Sequence, residues 1–163
     1  FCVNLSAFSL ADETLGDFIA GLLLECGVPG ERLCLEITET AAIENLSRAR
    51  NFMLGLKEEG VTFALDDFGN GFSSFANLKN LPVDFLKIDG SYVKDIIDNP
   101  VDAALVEAVN AVGHAMGIRT IAEFVHSDAV LDRLSGIGVD YGQGFCIAAP
   151  APLTDHGKAP GTR

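Results

Sequence analysis

The stretch TFALDDFGNGFSS, residues 62–74, opens as an alternating strand and ends in two adjacent carboxylates, Asp66 and Asp67, followed by Gly69 and Gly71. Taken alone, an Asp-Asp pair before glycines is ordinary turn chemistry. It does not stand alone. Apolar strand-like runs lie at 1–5, 32–38, 61–66, 84–89, 118–124 and 139–142, and the first five carry polar groups late in the run: Asn4, Glu36, Asp66, Lys87 with Asp89, and Glu123. Between the runs, amphipathic patterns predict helices at 13–26, 45–59, 91–97, 101–116 and 127–134, with Gly27, Gly60 and Gly117 just past three helix ends. Strand and helix alternating in this way predict an α/β fold with a parallel sheet and helices outside it.

Side chains alternate across a strand, so Glu36 shares a face with Cys34, Asp66 with Thr62 and Ala64, and Asn4 with Cys2. The opposite face carries Leu33, Leu35, Phe63 and Leu65, large enough to pack beneath helices. A small face that turns polar at the carboxyl ends of its strands is the interior of a TIM-like (β/α) barrel. A doubly wound sheet would show a glycine-rich phosphate turn after its first strand, and none is visible. The pattern supplies about six of the eight strands of a closed barrel.

A chain of 163 residues with 48% apolar content has ample material for one core. Net charge is −12, which excludes DNA binding through a generic basic surface and requires a cation if the ligand is an anion. Cys2, Cys26, Cys34 and Cys146 show no metal-binding spacing and read as small core residues of a reducing, cytoplasmic compartment. Residues 154–163 lack apolar periodicity and read as a disordered tail, leaving 1–153 as the domain.

Asn4, Glu36, Asp66, Asp67 and Glu123 meet at one rim in this arrangement. Five oxygen-bearing side chains without histidine or cysteine suit a hard cation, Mg²⁺ or Mn²⁺. Adjacent aspartates suit two such ions, as in phosphoryl transfer, and Lys87 supplies a further positive charge. Against this stand blander readings: Lys87 and Asp89 as a structural ion pair, and His114 as a structural helix residue. Five strand ends carrying such groups together outweigh them.

VNLS from Val3, EITE from Glu36, DDFGNGFSS from Asp66, LPVDFLKID from Leu81, TIAEFV from Thr120 and GVDYGQGF from Gly138 together resemble the EAL-domain cyclic di-GMP phosphodiesterases of bacterial signalling. The resemblance implies metal-dependent hydrolysis of cyclic di-GMP to linear pGpG, in the control of biofilm and motility. It implies that Asn4, Glu36, Asp66 and Glu123 are metal ligands, that Asp67 serves a second ion and the water, and that Lys87 is the catalytic lysine. Asp89 and Gln143 become neighbours in the site. Glu39 becomes the anchor of a loop, 68–74, that contains Gly69, Gly71 and Ser73 and couples to a homodimer interface. Fused sensor or GGDEF domains are implied upstream, along with the Glu-Ala-Leu segment that names the family, which is not found here. His126 stands where the family has a glutamate; it joins Lys87, Glu123 and Asp67 in the expected catalytic set, able to bind a water or take a proton but not to supply a carboxylate's charge. The alternative is a degenerate receptor that binds cyclic di-GMP without cutting it; a weaker one is an enolase-like metal barrel, which would need a second base.

Overall fold

The computed structural model describes residues 1–69 and 75–152. Gly71 and Ser73, most of the 68–74 loop and the 154–163 tail lie outside the described residues. Six strands, β1 (Cys2–Leu5), β2 (Cys34–Thr38), β3 (Thr62–Phe68), β4 (Phe85–Ile88), β5 (Arg119–Ala122) and β6 (Tyr141–Gly142), form one sheet. Every pairing is parallel, and the spatial order follows the chain order from β1 to β6. A doubly wound sheet reverses direction at a switch point, and this one never does; it is a barrel wall, not closed among the described residues.

The outer layer is α1 (Ala7–Leu10), α2 (Leu15–Cys26), α3 (Glu39–Glu44), α4 (Leu46–Glu58), α5 (Phe75–Leu78), α6 (Gly90–Lys94), α7 (Pro100–Ala115) and α8 (Asp128–Ile137). Local chemistry sets their ends. Asn99 accepts from the amides of Val101 and Asp102 and Pro100 follows at the first helical position, so α7 starts there. Ser127 caps α8, and Gly138, at φ 87°, closes it in the left-handed conformation.

Leu35, Ile37, Phe63, Leu65, Leu86 and Ile88 point from the strands into the helical layer and are all at most 2% exposed. Each contributes about 1.5–3 kcal/mol relative to exposure. Gly30 permits the closest approach in this layer, because a Cβ there would lie 1.9 Å from the Glu59 carbonyl oxygen. On the concave face, Cys2, Cys34 and Thr62 line up in register. The expectation of buried core cysteines is corrected: Cys2 and Cys26 are exposed, and Cys34 and Cys146 are half-buried. Cys34 alternates with the buried Leu35, and Cys2 pairs with Cys34 in register, so both fall on the face opposite the helical layer. Lower on the same face, the Arg119 guanidinium lies 4.2 Å from the centre of the Phe85 ring and its Nη1 donates to Tyr141 Oη at 3.2 Å.

A polar knot ties the far edge to α7. The Thr120 amide donates to Asp140 Oδ2 at 2.7 Å, His114 Nε2 lies 2.8 Å from the same oxygen, and Thr120 Oγ1 donates to Asn110 Oδ1 at 2.6 Å. Burial pushes the Asp140 carboxyl up, but the Thr120 amide and the His114 ring prevail and hold it below its usual range. A depressed carboxyl contributes stability that is present above its unfolded pKa and lost as pH falls through the folded value. Urea unfolding followed below about pH 4 should therefore show a shallower acid loss for Asp140→Asn than for the parent. Asp140→Ala should cost about 1–3 kcal/mol at neutral pH by stranding the buried Thr120 amide; an unchanged midpoint would show that the knot is idle.

Candidate active site

Three strands deliver carboxylates to one ammonium. Lys87 Nζ, on β4, lies 2.8 Å from Glu36 Oε2 on β2, 2.8 Å from Asp66 Oδ1 on β3 and 2.7 Å from Glu123 Oε1 just past β5. Its side chain is only 4% exposed. An ammonium has three protons, and these three oxygens take all of them. Burial alone would lower the Lys87 pKa, but the hydrogen bonds to Asp66, Glu123 and Glu36 outweigh it and hold the ammonium well above its usual value.

The strands reach this point because β3 is irregular. Its pairing with β4 runs from Ala64 against Phe85 and Leu65 against Leu86 to Phe68 against Ile88, with a register shift between Leu65 and Phe68. Asp66 and Asp67 together face the single residue Lys87, a bulge that aims both acids toward the rim instead of opposite faces. Asp67 adopts φ 56°, a left-handed conformation that aspartate tolerates better than most residues, and its amide donates to Asp66 Oδ1 at 3.0 Å.

Asp66, Asp67 and Glu123 each place a carboxylate oxygen within 4.8 Å of the others, close enough to share a cation. Burial, then Asp66 and Asp89, push the Asp67 carboxyl above its usual range. Burial does the same to Glu123, against the pull of Lys87. Glu36 joins this group through the lysine, and Asn4 stands beside Glu36 in the β1–β2 register, exposed at the edge. Four carboxylates, Glu36, Asp66, Asp67 and Glu123, face one ammonium, so the donor set fits divalent metal: hard oxygens with negative charge in excess.

The remaining expected residues are spread around this centre. Asp89 is buried and caps α6, accepting from the Ser91 amide at 2.7 Å. Glu39 is buried at the head of α3, immediately after β2. Gly69 has φ 107° and its carbonyl accepts from Tyr92 Oη; a Cβ there would lie 2.7 Å from the Tyr92 ring, so the position requires glycine. Gln143 is bound to the end of β5 through its amide, 2.8 Å from the Ala122 carbonyl oxygen. His126 is exposed and makes no ion pair among the described residues; its Nδ1 lies 3.3 Å from the Phe124 carbonyl oxygen. A pocket of about 240 Å³ opens between Glu123, His126 and Gln143. The larger groove, about 710 Å³ between α2 and α4, contains none of these groups. The sequence reading missed Phe124, which has φ 56° and is half-exposed beside Glu123. The only signal for it was an aromatic residue directly after a strand-end carboxylate.

The sequence matches the EAL domain family over residues 1–150. The chain belongs to the EAL domain family. It is 44% identical over 154 residues to the cyclic di-GMP phosphodiesterase PdeB of Shewanella oneidensis, covering 94% of this chain and 18% of PdeB. It is 37% identical over 153 residues to the cyclic di-GMP phosphodiesterase PdeA of Borreliella burgdorferi, covering 94% of this chain and 23% of that protein. The chain thus spans about a fifth of the length of these curated relatives. Among solved structures, the EAL domain of Mycobacterium smegmatis DcpA superposes with a TM-score of 0.90 at 36% identity, covering 95% of this chain and 69% of that one. The PaMucR phosphodiesterase in complex with c-di-GMP gives 0.90 at 34% identity, covering 95% and 63%. No helix among the described residues of this EAL chain is long and apolar enough to cross a membrane.

Removing the ammonium from this EAL site should leave three carboxylates facing one another. Lys87→Met should lower the unfolding free energy by about 3–5 kcal/mol in excess chelator, and millimolar Mg²⁺ or Mn²⁺ should restore part of the loss. Equal unfolding midpoints for parent and variant in chelator would mean that the lysine does not hold the strand ends together.

Proposed function

We propose that this chain carries the catalytic centre of a cyclic di-GMP phosphodiesterase, which hydrolyses one phosphodiester bond of the ring to give linear pGpG. The observation that carries this reading is the convergence of Asp66, Asp67 and Glu123 around Lys87. The named activity of the PdeB and PdeA relatives supports it.

Asn4, Glu36, Asp66 and Glu123 would hold one Mg²⁺ or Mn²⁺, and Asp67 with Asp66 a second. When bound, such ions supply Lewis-acid charge at a phosphate and at a water. The residues do the rest. Asp67, exposed at the rim with a raised carboxyl, accepts the proton of the attacking water. A bond forms from the water oxygen to phosphorus, the bond from phosphorus to the ribose 3′ oxygen breaks, and that oxygen takes a proton from solvent to leave as a hydroxyl, while Asp67 returns its proton to solvent. Lys87 holds the carboxylates of Glu36, Asp66 and Glu123 in place and keeps positive charge close to where the phosphate gains negative charge. Gln143 and His126, on the pocket beside Glu123, are positioned to bind water or substrate. Asp89 shapes the electrostatics of Asp67. Glu39, together with Gly69, Gly71 and Ser73, governs the loop that follows β3. This reading places the chain in the cytoplasm, as a homodimer through the region of residues 66–74 and with sensor or GGDEF domains upstream.

The purified full-length protein should release pGpG from cyclic di-GMP with Mg²⁺ or Mn²⁺, and lose that activity in excess chelator or when Ca²⁺, with its longer and looser coordination, replaces them. Asp66→Asn should abolish turnover, and Lys87→Ala should reduce it by about 10²–10³-fold. Both are read by chromatographic separation of pGpG. Tight binding of cyclic di-GMP without release of pGpG under any of these metals would replace the enzyme with a receptor.

A further inference from the structure

We infer that the groove between α2 and α4 is a docking site for a basic amphipathic helix of a separate partner protein. The inference is independent of the phosphodiesterase reading, because no residue of the Lys87 cluster lines this groove.

The groove, about 710 Å³, is open because both of its walls withhold side chains. α2 is apolar along most of its length yet buries none of its twelve residues. Gly16 and Ala20, four residues apart, face the groove, and Leu24, 85% exposed, continues the same row. On the opposing wall, Gly55 lies exposed inside α4. Glycine is unfavourable in a helix interior, and packing between these two helices does not ask for it. A Cβ on Gly55 would meet nothing within 4 Å, and one on Gly16 would only touch the Phe52 ring at 3.8 Å. The half-buried Phe52 and the buried Leu10 and Leu56 form an apolar floor. Small residues on two facing helices, above such a floor, let the ridge of a third helix approach closely.

The rim selects the guest. Asp12, Glu13 and Asp17 stand at the head of the groove, and Glu58 and Glu59 stand at its foot. Arg48 is the one cation among the described lining residues, and it is already bound, to Glu13 Oε1 at 3.3 Å and to the Ala11 carbonyl oxygen at 3.2 Å. Five carboxylates against one paired guanidinium disfavour nucleic acid, an anionic lipid surface and a second copy of this chain, whose net charge is −12. They favour Lys and Arg. A helix satisfies its own backbone, as burial against Leu10, Phe52 and Gly16 requires, whereas an extended peptide would leave amides and carbonyls unmet there. From Ser47 to Glu59 the wall runs about 18 Å. The guest is therefore a helix of about twelve residues, apolar along one stripe and basic near both ends.

This surface is distinct from the sheet edge. The groove lies between the helices that follow β1 and β2, whereas Phe18 and Leu22, also exposed, sit roughly half a turn away on the other flank of α2. Strands added beyond β1 would cover that flank and leave the groove open.

The test uses the full-length protein and a fluorescein-labelled synthetic helical peptide of about fourteen residues, with a leucine and alanine stripe and two lysines at each end. At low ionic strength its anisotropy should report a Kd of about 1–10 μM, weakening as salt is added. Gly55→Leu fills the groove without removing a charge; it should weaken binding at least tenfold, with a thermal midpoint level with or above the parent, because leucine is the better helix former. The double variant Asp17→Lys with Glu58→Lys should weaken binding by a similar factor. A peptide of the same composition with its stripe scrambled should bind at least tenfold less tightly than the ordered one. Parent-like binding by Gly55→Leu, or equal binding of the scrambled peptide, would reduce the effect to diffuse charge attraction and overturn the groove. No binding by the parent at low ionic strength would overturn the separate partner, including the case in which the protein's own chain covers the groove.

Discussion

One buried ammonium sets the terms for the rest of the structure. Lys87 binds acids from β2, β3 and the end of β5, so its position fixes the relative height of three strands in a sheet whose backbone pairing alone would tolerate a slip. The cost of burying that charge is met only because every proton finds a carboxylate. The cost of crowding the carboxylates is met only because the ammonium is there. Neither half of the arrangement is stable without the other, and the fourth acid, Asp67, leaves the whole with an appetite for further positive charge.

The site also depends on breaking regularity at two strand ends. Regular alternation would send Asp66 and Asp67 to opposite faces; the bulge against Lys87 brings them to the same rim. At the end of β5 a second left-handed residue, Phe124, separates a side chain that belongs to the cluster from one that belongs to the core. Each such conformation costs roughly 1–2 kcal/mol, a sum that the well-packed helical face of the sheet can support. The most regular part of the protein thus supports the least regular part.

Much of this was legible in the sequence. The six apolar runs became the six strands, and parity along 34–38 and 62–66 separated the core face from the polar face correctly, because alternation and burial are the same physical fact. The helices α1, α3 and α5 were not legible. They span four, six and four residues, too short for a 3.6-residue period to declare itself, and α3 follows β2 with no intervening loop. Cys2 and Cys34 were misread as core because local apolar context does not say which face of a strand is covered. Glu36, Asp66, Lys87 and Glu123 were found as strand-end polar groups, whereas the bulge at Asp66 and Asp67, and the role of the Phe124 backbone, arise from pairing between strands and leave no local trace.

The left-handed backbone at Asp67 narrows which sequences this position can hold. Conformation admits chiefly glycine, asparagine and aspartate, and of the three only aspartate brings charge. The position is therefore selected twice, and the neighbours of the native residue in sequence space are well-folded chains lacking the carboxylate. In a saturation library, conformation and charge would separate cleanly here, with Asn and Gly abundant among the soluble variants. Drift toward proteins that keep the shape and lose the carboxylate has a short path through this single codon.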